Sequence, residues 1–186
     1  KLSKMVNHIR QEVNAYFKDH PDYRHKHVDM PMPRLLTYSK NEIEVVSYGR
    51  NAGKAGIFFS SGCFDYNHTN LDQQQLAALI EMECVEIYLN RSVPRTVANM
   101  TGTLLNTLQN FSNSEFWPMR LIGYLTGPIQ MVLLVEASLN RAFKYEAAGH
   151  VAAMGRGKKL MEALDKKVCN TLEVIPTNAD LKLAQN

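Results

Sequence analysis

Apolar side chains recur about once per helical turn along residues 1–18. Met5, Ile9 and Val13 lie four positions apart, and Tyr16 and Phe17 continue the stripe. This spacing predicts an amphipathic helix. The proline-punctuated run that follows, HPDYRHKHVDMPMP, predicts a connector. We therefore expect residues 1–32 to form an N-terminal helix and connector that precede the main domain.

A strand-like pattern replaces the helical one between residues 34 and 62. RLLTYS, EIEVVSYG and IFFSSG are short runs rich in β-branched and aromatic residues, and Gly49 and the turn RNAGKAG separate the last two. Such runs predict short strands joined by tight turns. We expect a small sheet over about 34–62, folded as a meander or hairpin.

From Asn70 onward the pattern becomes helical again. Leu76, Leu79, Ile80 and Ile87 mark one face of a helix over about 70–90, with Asn70 as its expected cap and a glutamine at 73 in the capping-box position. Further helices are predicted at 95–112, 119–137 and 138–153, and a last one after the glycines at 155 and 157. The predicted fold class is α+β, mostly helical, with one small β-sheet.

Two carboxylates interrupt the helix at 70–90. Glu83 and Glu86 are three residues apart, so they lie on the same side of the helix, where like charges repel. One interpretation places both in solvent and leaves the leucine and isoleucine face as the core. The other buries them, and a buried carboxylate is costly unless another group compensates its charge.

The composition of the chain argues against several classes of protein. The chain has 186 residues, which suits one domain. Its 21 basic residues against 18 acidic ones leave no strong field, so we expect no nucleic-acid partner. The three cysteines include no C-x-x-C pair, which argues against a disulfide scaffold. We therefore expect a reducing compartment rather than secretion, such as the cytoplasm, the interior of an organelle or a larger particle. Among six histidines no two are four apart, so no helix carries a two-histidine metal face.

The most apolar run, residues 121–135, is shorter than a membrane span. A spanning helix needs about 20 apolar residues, and this run contains Pro128 and Gln130. We expect a buried or re-entrant helix there, with membrane proximity through 119–137 as the alternative.

The helix at 70–90 resembles the active-site helix of the HtpX-like and CAAX-prenyl-protease-type zinc metallopeptidases. In that family an apolar lead-in precedes the motif H-E-x-x-H. Here the lead-in is LDQQQLAALI, and Met82-Glu83-Cys84-Val85-Glu86 occupies the motif. The upstream runs LLTYSKNEIEVVSYG and GIFFSSGCF fit the strands that precede this helix in the family.

A second resemblance lies downstream. The run NRAFKYEAA at 140–148 is similar to the family's S-R-x-x-E-aromatic-x-A-D, whose glutamate is the third zinc ligand; Lys144 and Ala148 stand where the family has its acidic residues. The similarity extends in order over about 33–168. It implies a zincin-like domain at 33–168, a sheet packed on the former active-site helix, and a C-terminal tail at 169–186.

The resemblance implies lost catalysis. A site of this class binds zinc through two histidines and a distal carboxylate, and Met82, Glu86 and Lys144 replace these ligands. Only the general base remains, as the relic Glu83. We therefore expect the protein to bind no metal or cofactor and to have no peptidase activity. It would then be a pseudopeptidase that acts as a structural or protein-binding subunit of a larger, multi-subunit assembly. The alternative is a divergent metal-dependent or carboxylate-based hydrolase that uses Glu83 and Glu86.

The same substitutions predict an ion pair. With the fold kept, Lys144 faces the helix that carries Glu83 and Glu86 and forms a salt bridge with one of them; the alternative is a solvated lysine. Among other candidates, we expect His150 to be packed or capping and Cys84 to be buried rather than nucleophilic. His25 and His27 are expected in a solvated loop, and the basic run at 155–159 is a weak candidate for phosphate contact because it lacks P-loop spacing.

Overall fold

The described residues form four helices and a small three-stranded sheet that packs against helices. A computed structural model describes residues 1–24, 28–49, 52–65, 71–91 and 141–174. The predicted α+β, mostly helical class is confirmed. In chain order the elements are α1 (Leu2–Asp19), β1 (Arg34–Tyr38), β2 (Val45–Gly49), β3 (Ala55–Ser60), α2 (Gln73–Tyr88), α3 (141–153) and α4 (Gly157–Val174).

Several predicted segments fall outside the described residues. These are the helices at 95–112 and 119–137, together with His25 and His27. Within the described ranges no helix combines the length and apolar character that crossing a membrane requires.

The sheet is mixed. The predicted hairpin is confirmed for β2 and β3, which pair antiparallel, whereas the alternative of a meander is wrong because β1 pairs with β3 in parallel. The strand order is β1-β3-β2, with β1 parallel and β2 antiparallel to β3. The burial of each strand gives the physical reason. All but one of the β3 residues are buried, whereas no residue of β1 is fully buried. The most apolar strand therefore takes the centre, where the sheet is covered on both faces.

A single core joins the N-terminal helix to the predicted domain. Val6, Ile9, Val13 and Phe17 of α1 are buried in the same cluster as the side chains of β3 and α2. At the other end α4 continues to Val174, so the predicted boundary between 168 and 169 lies inside a helix. The amphipathic stripe of α4 extends past that boundary, since Asn170 is buried and its Oδ1 accepts a hydrogen bond from the Ile43 backbone N–H at 2.9 Å.

An arginine in the turn between α3 and α4 links three elements. Gly155, with φ of +92°, reverses the chain. Arg156 then extends Nη1 to Glu81 Oε1 and Nη2 to Glu12 Oε2, each at 2.8 Å. The guanidinium thus pairs with α1 and α2, a different role from the phosphate contact considered for residues 155–159. Burial raises the pKa of the Glu81 carboxyl, although Arg156 opposes this shift.

Candidate functional site

The helix α2 begins two residues later than predicted. Asp72 is its N-cap: its Oδ1 accepts from the Gln75 backbone N–H at 2.7 Å, and Gln75 Oε1 accepts from the Asp72 N–H at 3.1 Å. This is a reciprocal capping box. Asn70 and Gln73 were expected in these roles. The carboxylate of Asp72 is the stronger acceptor for the helix N-terminus, because it also complements the helix dipole.

Three glutamates lie fully inside the protein in the middle of α2. Glu81, Glu83 and Glu86 are each 0% exposed. The interpretation that Glu83 and Glu86 face solvent is therefore wrong. A buried carboxylate requires charge compensation or hydrogen bonds, so the groups around these side chains define the candidate site.

Glu83 is held from two directions. Its Oε2 accepts a hydrogen bond of 2.7 Å from the backbone N–H of Ser47 in β2. Its Oε1 lies 3.5 Å from Nζ of Lys144. The contact with β2 fixes the carboxylate against the sheet, and the contact with Lys144 directs its second oxygen toward α3.

Lys144 reaches both carboxylates at once. Its Nζ is 3.6 Å from Oε1 of Glu86 as well as 3.5 Å from Oε1 of Glu83. The lysine side chain is 39% exposed, while the two glutamates are 0% exposed. The structure therefore places one ammonium group, partly in contact with solvent, beside two buried carboxylates on the same face of α2.

The helix α3 places Lys144 there through its buried face. Ala147 and Val151 follow Lys144 at helical spacing and are 0% exposed, so residue 144 is carried on the side that packs inward. Arg91, just after α2, fixes the beginning of this helix. Its guanidinium carbon is 4.3 Å from the centre of the Phe143 ring, and Nη2 is 3.2 Å from a Glu146 oxygen.

The residues at the metal-ligand positions do not fit a zinc ion. Met82 offers a thioether, Glu86 a carboxylate and Lys144 an ammonium, whereas zinc of this class requires two imidazoles and a carboxylate. Nζ of Lys144 stands within 3.6 Å of the carboxylates that a cation would approach. Within the described ranges, no group of three His, Cys, Asp or Glu side chains is arranged to hold a metal.

The remaining candidate residues have structural surroundings. His150 is packed: its Nδ1 is 3.1 Å from Tyr16 Oη, and its ring makes edge contacts with Phe17 and His20. Burial lowers the pKa of this imidazole, and His20 adds to the effect. Cys84 is buried, and burial raises the pKa of its thiol. Because a thiolate is the nucleophilic form, the expectation of a structural cysteine is confirmed.

A cavity adjoins the lysine and the glutamates. It has a volume of about 540 Å³ and lies between α2, α3, α4 and the beginning of β2. Met82 and Lys144 both line it. Sequence reasoning missed the contribution of α4, which brings Lys167 to the same cavity. The only signal for this in the sequence was the helical spacing of Lys167 from Leu164.

Comparison with known proteins gives one distant relation. The chain is 24% identical over 132 residues to a protein named Protease HtpX homolog from Salinibacter ruber. The match covers 68% of this chain and 46% of the relative, so the chain spans about half the length of the protein that it matches. No protein-family model matches the chain, and no solved structure matches it. The chain is therefore distantly similar to HtpX-type metallopeptidases.

Proposed function

We propose that this protein is a metallopeptidase-like protein without zinc-dependent hydrolase activity, and that it acts as a structural or protein-binding subunit of a larger assembly. The observation that carries the proposal is the position of Lys144, whose ammonium lies within 3.6 Å of both Glu83 and Glu86. A fixed positive charge there repels a divalent cation at the place where a metallopeptidase would hold one.

The environment of Glu83 also argues against hydrolysis. A general base must be free to accept a proton from water that a metal or another group has activated. One oxygen of Glu83 accepts from Ser47 and the other faces Lys144. Both oxygens of the carboxylate therefore face groups of the protein, which is an unfavourable arrangement for a general base that must contact a water molecule.

The edge of the sheet supports a binding role. Among the described strands, β1 is the outer neighbour of β3, and no other described strand pairs with its far side. Exposed strand edges are sites at which a partner's segment adds by backbone hydrogen bonding. Large apolar side chains are exposed along β1 and the segment before it: Val28 (76%), Met32 (38%) and Leu36 (47%). The opposite edge, β2, already gives the Ser47 N–H to Glu83, which makes β1 the better candidate.

The absence of hydrolysis is tested on the purified full-length protein. We expect less than about 0.1 zinc ion per chain by mass spectrometry of the metal content after dialysis. We also expect no casein cleavage with or without added zinc, and the same result for Glu83→Gln. Glutamine keeps the acceptor for Ser47 but cannot act as a base. About one zinc ion per chain, or cleavage that Glu83→Gln abolishes, would instead support the divergent hydrolase.

The binding role is tested by site-specific cross-linking in cells that make the protein. A photoreactive amino acid replaces Leu36 on β1, and a matched variant carries it at Met161 on α4, which is 62% exposed. We expect a discrete cross-linked product of reproducible identity from position 36 and none of that identity from position 161. Equal labelling at both positions, or none at 36, contradicts binding at the β1 edge.

A further inference from the structure

The cavity beside Lys144 combines an apolar wall with cationic groups. Leu79 of α2, Leu164 and Val168 of α4, and Val45 at the beginning of β2 supply apolar surface. Among the described residues that line it, the charged ones are all basic: Arg141, Lys144 and Lys167. Its volume of about 540 Å³ lies within the range of about 300–1,000 Å³ typical of small-molecule sites.

Lys167 is a partly buried cation of this cavity. The described residues provide no carboxylate within salt-bridge distance of its Nζ, whereas Lys144 has two. Burial lowers the pKa of the Lys167 ammonium, and the charge of Lys144 adds to this; Glu44 and Glu83 act in the opposite direction with smaller effects. A partly buried ammonium in apolar surroundings favours a bound anion.

The nearby acids are already engaged. Glu44 Oε2 accepts from Tyr38 Oη at 2.6 Å and from Lys40 Nζ at 2.8 Å. Glu83 and Glu86 share Lys144. Arg141 and Lys167 therefore remain to meet a ligand, and none of the described residues that line the cavity carries an acidic side chain to repel an anion.

We propose that this cavity binds a single-chain acyl carboxylate. The acyl chain lies along the leucines and valines, and the carboxylate is held by Lys167 with Arg141 at the rim. A peptide segment fits less well, because its backbone N–H and C=O groups would be desolvated against apolar side chains without partners. A neutral apolar ligand would leave the two cations without a counter-ion. The proposal does not depend on the protein-binding role of β1.

The test is calorimetric titration of the full-length protein with octanoate, nonanoate and decanoate below their critical micelle concentrations. Affinity is expected to rise about fourfold per added methylene, which corresponds to about 0.8 kcal/mol. Nonyltrimethylammonium, with the same nine-carbon alkyl chain and the opposite charge, is expected to bind at least about tenfold more weakly than decanoate. Equal affinity for the two amphiphiles, or no decanoate binding at millimolar concentration, overturns the proposal.

Two single substitutions on α4 test whether decanoate binds in this cavity. Lys167→Met keeps the length and apolar stem of the side chain, and we expect it to weaken decanoate binding about tenfold or more. Lys158→Met, at an exposed position of the same helix, is expected to leave the affinity unchanged. Equal effects of the two substitutions would contradict the assigned site.

A second pair of variants covers the case in which Lys167→Met disturbs folding. Val168 lines the cavity and is 59% exposed, so Val168→Glu adds a repelling charge at the rim with little loss of core. It is expected to weaken decanoate binding by a similar factor. Met161→Glu, on an exposed residue that does not line the cavity, is the matched control. Unchanged binding by Val168→Glu overturns the proposal.

Discussion

Lys144→Met is expected to lower the free energy of unfolding by about 2–4 kcal/mol. The substitution removes the ammonium from two carboxylates, Glu83 and Glu86, that are 0% exposed. Removing one partner of a buried ion pair typically costs about 3–5 kcal/mol, because an uncompensated charge stays in the interior. Lys144 is 39% exposed, so water takes over part of its role and the expected loss is somewhat smaller. Urea unfolding with linear extrapolation measures the change.

The companion variants separate charge compensation from packing. Glu83→Gln and Glu86→Gln, introduced together with Lys144→Met, remove the two charges while glutamine keeps an acceptor for the Ser47 N–H. We expect the triple variant to recover at least half of the stability that Lys144→Met loses, as a positive coupling in a mutant cycle. A loss below about 0.5 kcal/mol for Lys144→Met, the size usual for a surface substitution, would contradict the interaction seen in the structure.

The ion pairs of this protein differ in how far the sequence could predict them. Lys144 and Glu83 are 61 residues apart, and no local pattern connects them. The prediction of their contact came only from an order of motifs that resembles a metallopeptidase family. Arg156 and its partners Glu81 and Glu12 are 75 and 144 residues apart. No motif covered that network, so its existence depended on the three-dimensional packing of α1 and α2.

Local features were predicted with errors that have physical causes. Helical periodicity located α1, because a buried stripe is a property of neighbouring residues. The position of α2 was also predicted, but the single apolar face was not found, because every residue from Ala78 to Ile87 is buried. The beginning of α2 was placed at Asn70 because asparagine and aspartate cap equally well in isolation, and the structure selects Asp72 with Gln75. Strand positions were visible as apolar runs, but the strand order was not. It depends on which strand is covered on both faces, and that is set by helices distant in sequence.

The buried glutamates of α2 connect this helix to its neighbours through ion pairs. In a zinc-dependent domain the ion links the active-site helix to a distal element, and its binding free energy contributes to folding. Here Lys144 links α2 to α3 through Glu83 and Glu86, while Arg156 links the same helix to α1 through Glu81. Basic side chains from the segment 141–156 therefore connect α2 to its neighbours, a role that the ion has in a zinc-dependent domain.

Restoring the ligand set is expected to create zinc binding. One variant combines Met82→His, Glu86→His and Lys144→Glu. It has two imidazoles one helical turn apart and a carboxylate from α3, which is the donor set of a zinc peptidase with two histidine ligands and one glutamate ligand. The ammonium of Lys144 already lies within 3.6 Å of the carboxylates of Glu83 and Glu86. We therefore expect the side chain of a glutamate at position 144 to reach the same space. We expect a dissociation constant for zinc of about 1 μM or lower, against none measurable for the unchanged protein.

The controls make this result specific to the three positions. A control variant combines Met82→His with Glu86→His but retains Lys144 and therefore keeps the cation in place. Its zinc affinity is expected to be at least about tenfold weaker than that of the three-position variant.

Thermal unfolding reports the same zinc binding. At a free zinc concentration 100-fold above the dissociation constant, binding stabilises the folded state by about 2.7 kcal/mol. We therefore expect zinc to raise the melting temperature of the three-position variant and to leave that of the unchanged protein the same. If the variant is unfolded without metal, recovery of helical circular dichroism on adding zinc reports the same binding. A folded variant that binds zinc no better than the unchanged protein would contradict this prediction. It would mean that α2 and α3 do not have the arrangement of a metallopeptidase site, so the proposed origin of the Lys144 ion pair would be wrong.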